Sequence, residues 1–369
     1  MLYSCHNVRP IRGARRARSA HLVVDVHCHA FCPEAAALMR PHVRPEFEPA
    51  ALFANEATQR VNADLQPRLQ EKFSSPAARL ADMDAAGIDV QVVSPAPPQY
   101  YYWADPDLAA AASRLINDNI AELVANAPER FVGMGHIPMQ VPELAVRELR
   151  RLVTDLGFRG VQINTNVAGL ELSDPRFRPV LAAAEELEAV LFLHPTGFTE
   201  GSRLAEHFLI NLIGAPLDTT IALHHLIFSG ALESLPNLKI LAAHGGGFAG
   251  AYIGRMDHGH AHRPDCRTCI SRPPSEFLRR IHFDAVVYDR QELTSLVARH
   301  GADRVLLGTD WPYDMALPDP VPFVEGLGLP AADAAALLGG NACRLLNLSP
   351  ESHGKGDHDR LGTLAQHDR

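Results

Sequence analysis

Eight short apolar, β-branched runs, each followed by a stretch of helical periodicity, predict an α/β fold: a single (β/α)8 TIM barrel with an insertion after strand 1. Two further observations favour a closed barrel over an open doubly wound sheet. The first run ends in His27-Cys28-His29, and the Gly-rich phosphate turn that an open nucleotide-binding sheet needs there is missing. The connection 31–75 is also far longer than the usual loop of an α/β unit, so it reads as an insertion capping the barrel mouth.

The strand runs, in order, are LVVDV (22–26), IDVQVVS (88–94), FVGMGHI (131–137), GVQIN (160–164), AVLFL (189–193), KILAA (239–243), IHFDAV (281–286) and RVLLG (304–308). Each is short and rich in Val, Ile, Leu or Phe, as a strand covered on both faces should be. Amphipathic segments at 77–86, 107–127, 143–156, 176–188, 275–280 and 291–300 supply the helices between them. A last helix at 331–338 is expected to stop at Gly339-Gly340. Residues 1–20 carry five arginines, no acid and no apolar core, so they read as a basic disordered extension rather than a secretory signal. The barrel is expected over 21–348, with 31–75 as its cap, and the polar stretch 349–369 reads as a disordered tail.

Composition excludes several classes. With 34 Lys and Arg against 43 Asp and Glu, the formal charge is −9, the wrong sign for a general nucleic-acid binder. The chain is 47% hydrophobic and 21% charged, enough for a large core. No apolar run reaches the ~18 residues of a membrane span. Six cysteines in 369 residues form no disulfide framework; reduced thiols and a cytoplasmic setting are expected.

A barrel puts its site at the C-terminal ends of its strands. Those positions hold Asp25-Val26-His27-Cys28-His29 after strand 1, His194-Pro195 after strand 5, His244-Gly245-Gly246-Gly247 after strand 6 and Thr309-Asp310-Trp311-Pro312 after strand 8. On a strand, H-x-H points both imidazoles to one face. His27, His29, His194 and Asp310 then form a His3Asp shell for one divalent metal, Zn2+ first, with Mn2+ or Fe2+ also compatible. His244 is either a ligand or an acid/base group. Strand 4 has no lysine to bridge a second metal, which favours one ion and leaves His244 to move a proton. Tyr100, Tyr101, Tyr102 and Trp103 follow strand 2 and can wall a pocket for a flat substrate. Arg255 is either an exposed arginine or a carboxylate clamp. His224 and His225 are expected on a helix, and His258, His260 and His262 in a polar loop.

At these residues the chain resembles the aminocarboxymuconate semialdehyde decarboxylase branch of the amidohydrolase superfamily, from about Leu22 to Leu348. The resemblance also runs through Ala78-Arg79-Leu80-Ala81-Asp82-Met83-Asp84-Ala85-Ala86-Gly87-Ile88, Tyr102-Trp103-Ala104, Arg130-Phe131-Val132-Gly133, Pro138-Met139-Gln140, Gly254-Arg255 and Leu307-Gly308-Thr309-Asp310-Trp311-Pro312. It implies a metal-dependent, non-oxidative decarboxylase of an unsaturated or hydroxylated aromatic carboxylate. One metal would be held by His27, His29, His194 and Asp310, with His244 positioning or activating the water; our own reading of these residues adds that His244 and Asp310 carry the proton. Arg255 would hold a substrate carboxylate in the neighbouring subunit's site, implying a homodimer. A second carboxylate-binding arginine would lie in the insertion; Arg68 is nearest, with Gln66 the other occupant of that slot. The chain departs from the branch after His194-Pro195, where Thr196-Gly197-Phe198 stands in place of a tryptophan. Two other readings stay open: a hydrolase or hydratase using metal-bound hydroxide on the same scaffold, and a non-catalytic barrel subunit.

Overall fold

The computed structural model describes residues 19, 21–349 and 352–353; apart from those positions, the expected basic extension and polar tail lie outside the described residues. Eight parallel strands alternate with helices: β1 (Val24–Ala30), β2 (Val90–Pro95), β3 (Phe131–Gly133), β4 (Gly160–Ile163), β5 (Val190–Leu193), β6 (Lys239–Ala242), β7 (His282–Asp284) and β8 (Val305–Leu306). They form two ladders, β1-β2-β3 and β4-β5-β6-β7-β8. Single parallel bridges join the ladders at both seams, Gly135 to Val161 and Cys28 to Trp311. Val26 N–H donates to Leu307 O at 2.9 Å across one seam, and Gly135 N–H to Gly160 O at 2.9 Å across the other. The eight strands therefore follow one another round a ring, the (β/α)8 order read from the sequence.

Alternation along the strands sorts the apolar residues into two clusters. Val24, Val26, Val92, Phe192, Leu241 and Leu306 pack together in the barrel interior. Val93, Val161, Leu191, Ile240 and Phe283 belong to a second cluster, which they share with helix residues such as Leu149 and Leu223. The α-helices of seven or more residues among the described residues are α1 (Pro33–Met39), α2 (Glu56–Ser74), α3 (Pro76–Ala86), α4 (Pro106–Asn126), α5 (Pro142–Thr154), α6 (Arg178–Glu186), α7 (Ala215–Phe228), α8 (Ile253–His262) and α9 (Arg290–His300). Their starts follow capping chemistry: Ser75 Oγ accepts from Ala78 N–H, Asp105 from Leu108, and Asp289 from Gln291 and Glu292. No helix among the described residues is long and apolar enough to cross a membrane.

Three expectations change. The third run is continuous strand only over Phe131–Gly133, with one further bridge at Gly135, because the His136 N–H turns to Asn117 Oδ1 at 2.7 Å instead of a strand. Gly339-Gly340 does not stop the last helix, which continues as a π-turn over Ala336–Gly340 into a helix at Asn341–Leu345. Gly339 serves close approach instead: a Cβ there would lie 2.1 Å from Leu22 O. His258, His260 and His262 lie on α8, where the His258 and His262 rings stack one turn apart at 4.1 Å.

Candidate metal centre

The period of two brings both β1 histidines inward only after a correction in phase. Register with β2 shifts between Asp25 and Cys28, and beyond that bulge His27 and His29 face the interior while Cys28 joins the outer cluster. His194 follows β5 and Asp310 follows β8. All four residues are buried, and their donor atoms lie within 4.8 Å of one another. Gly308, on the inner face just past β8, makes room for them: a Cβ there would meet His27 Cβ at 2.9 Å and Asp284 Cβ at 3.0 Å.

Each imidazole of the set is oriented from behind. His27 Nδ1 lies 2.6 Å from Asp284 Oδ2, His29 Nδ1 3.1 Å from Pro95 O, and His194 Nδ1 2.9 Å from Pro195 O. An acceptor at Nδ1 fixes the Nδ1–H tautomer and leaves the Nε2 lone pair facing the centre. His27 Nε2 and His194 Nε2 are buried without a hydrogen-bond partner, a costly state that a metal ion would relieve. Three imidazole nitrogens and a carboxylate oxygen suit a divalent Zn, Mn or Fe ion.

Burial and neighbouring charges act differently across the set. Burial pushes His194 well below its ordinary value, and the neighbouring imidazoles of His27, His29 and His244 push the same way. Burial also lowers His29. Burial alone would raise Asp310, but the charge of His27 and the nearby imidazoles of His244, His27 and His29 hold it well below the usual carboxylate range. Burial alone would lower His27, but Asp310 and Asp284 raise it to about 10. The cluster thus offers two neutral imidazoles and an ionised carboxylate, with a proton on His27 that a bound cation would displace.

His244 stands beside this set and outside it. Its ring centroid is 5.2 Å from that of His27 and 5.1 Å from that of His194, and its Nε2 is 3.7 Å from Asp310 Oδ2. Asp310 divides its oxygens: Oδ1 lies 3.3 Å and 3.2 Å from the Nε2 atoms of His27 and His29, while Oδ2 turns to His244. Both residues adopt left-handed backbone, φ 55° at His244 and 64° at Asp310, a conformation that non-glycine residues hold only under constraint. The turn after His244 is constrained too. A Cβ on Gly247 would lie 2.0 Å from Pro216 O, and Gly245 N–H donates to Asp284 Oδ1 at 3.0 Å.

The centre lies at the bottom of a cavity of about 540 Å3. Tyr100, Tyr102 and Trp103 line one side, as the aromatic run suggests. The same cavity is lined by Asn62, Leu65, Gln66 and Leu69 of α2, a stripe at helical spacing. Arg68 falls off that stripe; two residues from Gln66 on a helix of 3.6 residues per turn, it is exposed and outside the lining, whereas Gln66 lines the cavity. Arg255, at the start of α8, is exposed and likewise absent from its own chain's cavity. Among the described residues the lining includes neither lysine nor arginine. Thr196 and Gly197 line the wall at the place of the missing tryptophan.

Asp284 and Gln162 escaped the sequence reading. Asp284 is the one carboxylate in the apolar run IHFDAV, and inward phase on a strand was the only hint it gave. Gln162 is the one polar residue of β4 and lies wholly buried.

The amidohydrolase family profile matches residues 24–348. The chain is 37% identical over 280 residues to 2-amino-3-carboxymuconate-6-semialdehyde decarboxylase of Dictyostelium discoideum, covering 75% of this chain and 78% of that one. The solved 5-carboxyvanillate decarboxylase of Sphingomonas paucimobilis superposes with a TM-score of 0.80 at 25% identity, covering 89% of this chain and all of that one. The dihydroxybenzoic acid decarboxylase of Polaromonas sp. JS666, solved with manganese and the inhibitor 2-nitroresorcinol, gives 0.77 at 26% identity over 90% of this chain and 99% of that one.

Proposed function

The chain belongs to the amidohydrolase family, and from that premise we propose that it is a metal-dependent, non-oxidative decarboxylase of an unsaturated or hydroxylated aromatic carboxylate. One observation carries the reading: two buried imidazole nitrogens without partners converge with His29 and Asp310 under an aromatic wall, beside a histidine outside the ligand set. His27, His29, His194 and Asp310 hold one divalent ion, which when bound supplies Lewis-acid stabilisation to substrate oxygens. Zn2+ is our first assignment; Mn2+, present in the Polaromonas relative, and Fe2+ fit the same donors.

The residues of the chain do the rest. Tyr100, Tyr102 and Trp103 orient a flat substrate edge-on to the floor. His244, paired with Asp310 Oδ2, delivers a proton to the carbon bearing the carboxylate. The bond to the carboxylate then breaks, its electron pair returns to the conjugated system, and CO2 leaves. The 3.7 Å between His244 and Asp310 is a separation that substrate binding can tighten. Among the described residues no lysine or arginine lines the cavity; in the working unit proposed here, a homodimer of the barrel 21–348, a second copy contributes Arg255 to it. The five cysteines among the described residues are unpaired, which accords with a cytoplasmic setting.

Metal-replete protein should be offered a panel of unsaturated and hydroxylated aromatic carboxylates, with lactones and amides included, and the products read by mass spectrometry. A product short by CO2 is expected. A product cleaved by or heavier by water would overturn decarboxylation in favour of hydrolysis or hydration.

A further inference from the structure

Gln162 faces the barrel interior from β4 and has no exposed surface. A primary amide buried among apolar strands is costly unless its hydrogen bonds are made. Here three are made: Oε1 accepts from Ser94 Oγ at 2.6 Å, and Nε2 donates to Pro95 O and to Tyr100 Oη, both at 2.8 Å. The Pro95 carbonyl can only accept, so the amide has one orientation.

Each partner is one step from a ligand. Pro95 O is the acceptor that sets His29 Nδ1 at 3.1 Å, and Ser94 Oγ lies 3.4 Å from the same nitrogen. Tyr100 Oη donates to His194 O at 3.0 Å. A single side chain thus spans ligands from β1 and β5, which are not neighbours in the ring. The path also reaches the cavity wall, because the Tyr100 ring stacks on Tyr102 at 5.4 Å and both line the cavity.

We infer that Gln162 is a positioning residue, holding His29 and His194 in a common geometry and tying both to the aromatic wall; this rests on the metal-binding reading above. Pro95 O is shared between Gln162 Nε2 and His29 Nδ1, so loss of the amide frees the carbonyl to shift and the His29 ring with it. Loss of the Tyr100 hydroxyl frees the His194 backbone alone.

The test compares wild type with Gln162→Leu, Tyr100→Phe and the double variant, all checked for folding by circular dichroism. Zn2+ affinity is measured by competition with a chromophoric chelator, and ligand geometry by the visible absorption of the Co2+-loaded protein. Gln162→Leu should weaken Zn2+ binding about 10- to 100-fold and alter the Co2+ spectrum, as losses behind a metal ligand do. Tyr100→Phe should weaken it less, and the double variant should bind no worse than Gln162→Leu, since both lesions lie on one path. Folded Gln162→Leu with wild-type affinity and spectrum would overturn the inference, as would losses that simply multiply. Should Gln162→Leu fail to fold, Tyr100→Phe decides: an unchanged affinity and spectrum overturns the inference, and a weakened affinity supports it. Wild-type protein that takes up neither Zn2+ nor Co2+ would sink the metal reading and this inference with it; tight wild-type binding with indifferent variants sinks this inference alone.

Discussion

The floor of the cavity and its α2 wall are built in different ways. At the floor, His27, His29 and His194 are buried, and each has a ring nitrogen held by a carboxylate or carbonyl within 3.1 Å. On the wall, Asn62 and Gln66 are exposed and Leu65 and Leu69 half-buried, all on one helix of an insertion. A floor whose imidazoles are each held from behind cannot change one member without disturbing the rest. A wall made of one helical stripe can change side chains singly. The contrast separates two tasks: the floor fixes the chemistry, and the wall selects what is brought to it.

That division can be broken most directly at the floor. Removing the divalent ion, or making His194→Ala, should lower kcat/KM at least about a thousand-fold, and added metal should rescue the first but not the second. Rescue of both would show that His194 is dispensable. His244→Ala should lower kcat about 10²- to 10⁴-fold with metal content intact. If metal is lost as well, His244 belongs among the ligands and the floor is larger than drawn.

The wall gives the smaller effects. Leu65→Ala should change the ranking of substrates on the order of ten-fold and leave metal affinity alone; a fall in metal affinity would mean that floor and wall are not separate. The last effect concerns the loop that carries Asn166. Asp218 on α7 accepts hydrogen bonds from Thr165 and Asn166, and Asn166 lines the cavity. Burial raises the Asp218 carboxyl from 3.8 to about 6 despite those bonds. The folded state therefore holds a proton that the unfolded chain has released. Stability should fall as pH rises from about 4 to about 6, by up to about 3 kcal/mol. Asp218→Asn should flatten that slope in urea titrations; an unchanged slope would assign it to other groups.

The same contrast explains what could be read from the sequence. His27, His29, His194 and Asp310 were legible because strand periodicity and barrel polarity send them to one place, whatever the insertion does. Asp284 and Gln162 were not, because each is a single polar residue in an apolar run and only its three-dimensional partners give it a role. The choice between Arg68 and Gln66 depended on the phase of α2, which no motif marks. The π-turn through Gly339-Gly340 was hidden because glycine signals both a helix stop and a close approach, and only the position of Leu22 O tells them apart. His258, His260 and His262 looked like loop residues because a helix containing Gly259 and three histidines has little intrinsic propensity.

The left-handed backbone at His244 and Asp310 has a consequence for evolution in the laboratory. Glycine or asparagine would adopt φ 55° and 64° with less penalty than the residues found there. A library screened only for heat resistance should accumulate those replacements and drift toward a sturdier, inert protein, since durability and turnover compete for the same two positions. A thermostabilised variant of value would have to come from a screen that scores product in every round.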